Sequence, residues 1–278
     1  MPELPEVETV CRDLRERILN LEIARVQIYD EKIWRGKTPP EFLIGKKFCG
    51  ISRRGKFLVF EIENCSKFLI AHLRMTGQLL FTENSEILAG GHGEKIYFSA
   101  TRAEIFFKSG AKLCFADPRK FGFFEVLSAE KFQKFSENWG AEPLEKNFTF
   151  AKFKKLLRSK KNVKSFLLDQ KIIAGVGNIY ADEILFAAAI SPQKKVGNLN
   201  EKSLRAIFSN LKKILKAGIE NRGTTFNSFR DARGKIGNFQ EFLKVYDRAG
   251  KTCPRCGAVL RKIRVASRGT TFCENCQK

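Results

Sequence analysis

Phe57-Leu58-Val59-Phe60-Glu61-Ile62 and, after five intervening residues, Phe68-Leu69-Ile70-Ala71-His72-Leu73 are two short apolar runs rich in phenylalanine and β-branched residues. Each is too short for an ordinary helix and reads as a strand. Working outward, similar runs occur at Ala24 to Tyr29, Lys95 to Ser99, Glu104 to Lys108, Lys112 to Phe115 and Phe121 to Val126, with turn residues such as Arg54-Gly55 and Ser109-Gly110 between runs. Many short strands in succession predict a β-sandwich or barrel. Ahead of them, Val7, Val10, Cys11, Leu14 and Ile18 recur at helical spacing, and Pro5 suits a first helical turn. Beyond them the pattern breaks at Gly140-Ala141-Glu142-Pro143, and the later apolar spacing predicts helices near Phe150 to Arg158, Val163 to Lys171, Asn178 to Ala189 and Lys202 to Asn221. The reading is an α+β fold: an N-terminal β-sandwich domain with a flanking helix over 1–140, a helical domain over 141–250, and a small β ribbon over 251–278.

The chain has 278 residues, with 51 Lys and Arg against 30 Asp and Glu, a formal charge of +21. A surplus of that size points to a polyanionic partner, nucleic acid first. No stretch approaches the roughly 18 uninterrupted apolar residues of a membrane span, and the opening is not basic and then apolar. A soluble, cytoplasmic monomer is expected, with no membrane partner. Of eight cysteines, Cys11, Cys49, Cys65 and Cys114 are scattered through apolar segments and read as reduced core residues. The other four, Cys253, Cys256, Cys273 and Cys276, form two CxxC pairs sixteen residues apart. That spacing predicts a four-thiolate zinc site with no open position, hence one structural ion.

Met1 precedes a small residue and is expected to be trimmed, which leaves Pro2 as a terminal secondary amine. Such an amine can attack a carbon electrophile when unprotonated, and an α-amino group reaches that state nearer neutral pH than lysine does. The same residues could instead stiffen a helix entry, with Glu3 and Glu6 complementing its dipole. Lys56 should project from the tip of a hairpin as a mobile, hydrated charge suited to phosphate. Met75 stands beside Arg74 and a Thr-Gly turn, and a lone methionine usually fills a core gap. Gly175 and Gly177 sit just before a helix starting at or near Asn178, a position that attracts phosphate but also suits a capping asparagine. Arg268 lies between the cysteine pairs on a metal-braced turn.

The opening Met1-Pro2-Glu3-Leu4-Pro5-Glu6-Val7-Glu8-Thr9-Val10 resembles bacterial formamidopyrimidine-DNA glycosylase, and matching motifs continue in order to the chain's end. They include Arg53 to Lys56, His72 to Gln78, Asp117 to Gly122, Ala174 to Glu183 and Arg268 to Cys273. The resemblance implies a base-excision repair enzyme, both glycosylase and abasic-site lyase, acting on oxidised purines in double-stranded DNA and associated with the bacterial nucleoid. It implies catalytic roles for Pro2 (attack on the sugar C1′), Glu3 (protons at the sugar ring oxygen), Lys56 and Arg268. It implies DNA contacts for Glu6, Met75, His92, Arg119, Phe121, Lys164 and Asn178, with Met75, Arg119 and Phe121 filling the space left by a flipped base. Asn178 would lie in a helix–two-turn–helix motif. Ser165 stands where the family usually has proline, Arg222 where a glycine is common, and Asn227-Ser228 where Arg-Asp is frequent, in the loop expected to cover the flipped base. Two alternatives remain: an endonuclease VIII-like enzyme for oxidised pyrimidines, and a non-catalytic zinc-ribbon nucleic-acid binding protein.

Overall fold

Helix α1 (Leu4–Ile18) forms on the apolar spacing of Val7, Val10, Cys11, Leu14 and Ile18, all buried, and carries Pro5 in its first turn. The computed structural model describes residues 1–83, 100–157 and 160–278, so the strand expected at Lys95 to Ser99 and the candidate His92 lie outside the described residues. By its contacts the chain forms two compact units, Met1–Glu137 with Asn221–Gln240 and Asn138–Glu220 with Glu241–Lys278.

The first unit is a β-sandwich. One sheet has the order β1-β7-β8-β6, made of β1 (Ile23–Ile28), β6 (Gln78–Thr82), β7 (Thr101–Phe107) and β8 (Lys112–Ala116). The other has the order β2-β9-β5-β4-β3, made of β2 (Trp34–Arg35), β3 (Phe48–Arg54), β4 (Phe57–Ile62), β5 (Lys67–His72) and β9 (Phe123–Ser128). All pairings are antiparallel except β2 with β9. Ile105 and Leu113 of the first sheet, Phe60 and Leu69 of the second, and Val10 and Leu14 of α1 share one core. Removing that apolar surface from water, at about 25 cal/mol per Å², is the main force holding the layers. Strands β3 and β6 and helix α2 (Ala129–Glu137) appear where no element is expected. On α2, Phe132 stacks on Phe68 (4.3 Å between centroids) and Phe135 meets Phe57 edge-on (4.9 Å), so the helix covers part of the β4–β5 hairpin. One cysteine read as core is not: Cys49 is exposed, because strand alternation at Phe48-Cys49 turns the thiol outward beside a bulge, while Cys65 is half-buried and packs against the core. Cys11 and Cys114 are buried.

Residues 221–240 return to this unit. Phe229 and Ala232 enter its core, and the Phe81 N–H donates to the Ala232 carbonyl at 2.9 Å.

The second unit holds α3 (Phe150–Lys155), α4 (Val163–Leu168), α5 (Asn178–Ala187), α6 (Glu201–Glu220) and a terminal hairpin of β10 (Arg261–Val265) and β11 (Arg268–Phe272). Phe148, Phe153 and Phe208 cluster between α3 and α6. The hairpin is not a free-standing module: Phe186 of α5 and Val245 share a core with Cys253, Leu260 and Cys273. No helix among the described residues is long and apolar enough to cross a membrane.

Candidate active site

Glu3 caps α1 in a reciprocal box: its side chain accepts the Glu6 N–H, and the Glu6 carboxylate accepts the Glu3 N–H at 2.8 Å. This satisfies two of the four orphan donors of the helix start. Glu6 also accepts the Thr224 N–H at 2.7 Å, so the covering loop is tied to the first turn of α1. Gly223 is required there, since a Cβ would sit 2.9 Å from the Glu6 side chain and its φ is +79°. Beside it Arg222, also at positive φ, bridges Asp13 of α1 (2.6 Å) and Asp231.

Pro2, Glu3 and Glu6 are all buried. Burial lowers the pKa of the Met1 amine; Glu3 and Glu6 oppose the shift, and Lys56 and Arg119 add to it. The start of the chain thus lies within electrostatic reach of four candidate side chains, and Pro2 beside it is buried, an environment that disfavours a charged amine. Lys56 departs from expectation. It occupies the β3–β4 turn, yet only 7 % of it is exposed, so it is a positioned interior charge and not a mobile, hydrated one.

Met75 and Phe121 are 43 % and 48 % exposed, too open for core residues of their size. Arg119 joins them: its Nη1 lies 3.2 Å from the Met75 sulfur, and its guanidinium is 5.0 Å from the centre of the Phe121 ring. His72 is buried, and its Nδ1 accepts the Arg74 N–H at 2.8 Å.

In the second unit, Asn178 begins α5 directly after Gly177, and its Nδ2 donates to the Gly269 carbonyl at 3.0 Å. Lys164 is fully buried, ion-paired to Asp182 (2.6 Å), and donates to the Thr270 hydroxyl (2.7 Å) and the Gly269 carbonyl (3.2 Å). A DNA contact was expected of it, but a wholly enclosed ammonium cannot touch one; it secures the strand that begins at Arg268. Arg268 is exposed and follows a two-residue turn, Ala266-Ser267, in which both residues have positive φ, the geometry of a twisted hairpin turn. Lys164 and Asn178 both donate to the Gly269 carbonyl next to Arg268, and Asp182 accepts the Thr271 N–H at 3.1 Å, so the start of this strand is held by three side chains.

The four cysteine sulfurs of the ribbon lie within 4.8 Å of one another, Cys253 to Cys276 at 3.9 Å and Cys256 to Cys273 at 3.4 Å. Four thiolates around a zinc ion at about 2.3 Å would be about 3.8 Å apart, so the set fits zinc. With every position filled by sulfur, the ion is structural.

Three family models match in order: Formamidopyrimidine-DNA glycosylase N-terminal domain over residues 1–124, Formamidopyrimidine-DNA glycosylase H2TH domain over 139–230, and a zinc finger found in FPG and IleRS over 250–278. The chain is similar to a protein of Carboxydothermus hydrogenoformans named formamidopyrimidine-DNA glycosylase, 43 % identical with all of both chains covered. It is also similar to the Lactococcus lactis Fpg solved with DNA containing Fapy-dG, at 36 % identity, TM-score 0.86, with 99 % of this chain and 100 % of that one covered. A further structure of that protein, solved with DNA containing an oxidised pyrimidine, matches at 37 % identity and TM-score 0.86 over the whole of both chains. With three domain models in register and full-length identity of this order, the chain belongs to the formamidopyrimidine-DNA glycosylase family.

Proposed function

We propose that the chain excises oxidised purines from duplex DNA and then cleaves the strand, with the Pro2 amine as nucleophile once Met1 is removed. One observation carries the reading. Glu3 and Glu6, locked to each other, with Glu6 also holding Thr224, adjoin a buried Pro2 at a chain start within electrostatic reach of Lys56 and Arg119. In the proposed reaction the Pro2 nitrogen attacks C1′ of the flipped nucleotide. The damaged base leaves with the electrons of the glycosidic bond and takes up a proton, and Glu3 protonates the sugar ring oxygen as the ring opens. The product is an iminium ion at C1′. Loss of a C2′ proton then expels the 3′ phosphate, a second elimination expels the 5′ phosphate, and hydrolysis of the iminium ion returns the amine.

Lys56, Asn178 and Arg268 supply cationic or polar partners for the phosphates flanking the lesion, and Lys164 acts by holding the Arg268 strand. Glu6 organises Glu3 and the covering loop. Met75, Arg119 and Phe121 fill the duplex where the base was, which offsets part of the few kcal/mol that flipping requires. The ribbon zinc fixes the Arg268 hairpin and takes no part in the chemistry. A bacterial cytoplasmic location at the nucleoid follows from this role.

Borohydride trapping tests the reading. Chain lacking Met1 should give a permanent adduct on duplex carrying 8-oxoguanine, and peptide mapping should place it at Pro2. Chain retaining Met1 should give none, because its proline nitrogen is an amide. Adduct formation by Met1-blocked protein would move the nucleophile to a lysine, Lys56 first. A parallel duplex carrying an oxidised pyrimidine is included because the related Lactococcus protein has been solved on such DNA. Trapping stronger there than on 8-oxoguanine would overturn the purine preference.

A further inference from the structure

Asp117 follows β8, is wholly buried, and has no part in the mechanism above. Its Oδ2 accepts the backbone N–H groups of Phe121 (2.8 Å) and Gly122 (2.7 Å), and its Oδ1 accepts that of Arg119 (3.2 Å). The same Oδ1 accepts the hydroxyl of Thr76, 41 residues earlier in the chain and next to Met75. One carboxylate therefore ties the Met75 turn to the Arg119–Phe121 turn. Its own backbone is pinned, with the Asp117 N–H donating to the Ala100 carbonyl (2.9 Å) and Arg102 Nε donating to the Asp117 carbonyl (3.0 Å).

Both turns need such a hold. Each contains a residue other than glycine at positive φ, Arg74 at 53° and Lys120 at 57°, a conformation that side chains other than glycine disfavour. Each also closes on a glycine with no room for a Cβ: at Gly77 it would lie 2.4 Å from the Leu73 carbonyl oxygen, and at Gly122 it would lie 2.6 Å from the Phe115 ring. A buried carboxylate with four donors is a charge-assisted hub, and removing one donor leaves part of its charge uncompensated.

We propose that Asp117 is a positioning residue that locks the two turns together through Thr76, so that Met75, Arg119 and Phe121 enter DNA as one preassembled wedge. The consequence for DNA rests on the repair reading above; the lock itself does not. Thr76→Val is the sharpest probe, since it removes only the hydroxyl that crosses between turns and leaves the three backbone bonds to Asp117. In the free protein, amide hydrogen exchange of the 117–122 segment should speed up in Thr76→Val and return to normal in Thr76→Ser. On duplex carrying 8-oxoguanine, kcat/KM should fall about tenfold in Thr76→Val, in line with loss of one hydrogen bond to a charged group, and recover in Thr76→Ser. Unchanged exchange across the second turn, or unchanged kcat/KM with the hydroxyl gone, would overturn the proposal. Coupled exchange in a wild-type protein that excises nothing would leave the lock standing and sink the repair reading.

Discussion

The His72 imidazole is packed against Phe57 and Phe123, ring centroids 4.4 and 6.0 Å away, and holds the Arg74 N–H as an acceptor. Burial first, and then the cations Arg74, Lys56 and Arg35, push its pKa down to about 3. In the unfolded chain the same group titrates near about 6.5. The unfolded state thus takes up a proton over a range where the folded state does not, and His72 makes stability fall as pH drops from about 6.5 toward about 3. His72→Gln, which keeps an acceptor and removes the proton site, should lower the pH dependence of unfolding free energy in that window by roughly one proton, as read from urea midpoints at several pH values. An identical slope would show that His72 titrates normally. At this scale the sequence was legible in residue identity more than in environment. Pro2, Glu3 and Glu6 could be singled out from the opening motif, whereas the local turn pattern around Lys56 gives no sign of its burial, and the enclosure of Lys164 depends on Gly269 and Thr270, 105 and 106 residues away. Ser165 is a further case: its N–H donates to Asn162 Oδ1 at 2.8 Å, a capping bond that the family's usual proline cannot make.

Among elements, the terminal ribbon was the easiest to read, because metal geometry constrains cysteine spacing so tightly. What spacing could not give is its attachment. Arg255 donates to the Phe186 carbonyl (2.9 Å), the Thr271 N–H to Asp182 (3.1 Å), and Gln277 Nε2 to the Ile190 carbonyl (3.0 Å), so hairpin and α5 share a core and a bonding network. Removing zinc with a chelator, or substituting Cys253→Ser, should therefore disorder the hairpin, loosen α5 and abolish tight DNA binding, while the β-sandwich stays folded. Near-UV circular dichroism together with a DNA titration checks this, and metal-free protein of normal affinity would refute it. The strands β3 and β6 were missed for opposite reasons. Gly50 and two terminal arginines dilute the pattern of β3, while Gln78 to Thr82 is buried throughout and follows a Thr-Gly turn, so no alternation marks it.

For the whole molecule, the net charge of +21 predicts binding that weakens steeply with salt. Arg268→Ala should lower affinity for all duplexes alike and reduce the slope of log affinity against log salt by roughly 1. An unchanged slope would assign that arginine to the scaffold. The broad plan, strands first, helices next and ribbon last, could be read from period changes along the chain. The return of 221–240 to the first unit could not, because no local pattern reports which distant surface a loop will meet.

That return also sets an order of assembly. The bond from Thr224 to Glu6 spans 218 residues, and the whole of Asn138–Glu220 lies between its ends. A ribosome releases the N-terminal helix and the sheet strands early, but the segment that fastens Glu6 emerges only after α6 has been made. Closing so long a loop is entropically slow to arrange and comes late in folding. The proposed nucleophile is therefore among the first residues synthesised, and its surroundings are among the last to be completed. A nascent chain would carry the reactive amine without a finished pocket around it, and competence would arrive with the final fifth of the protein.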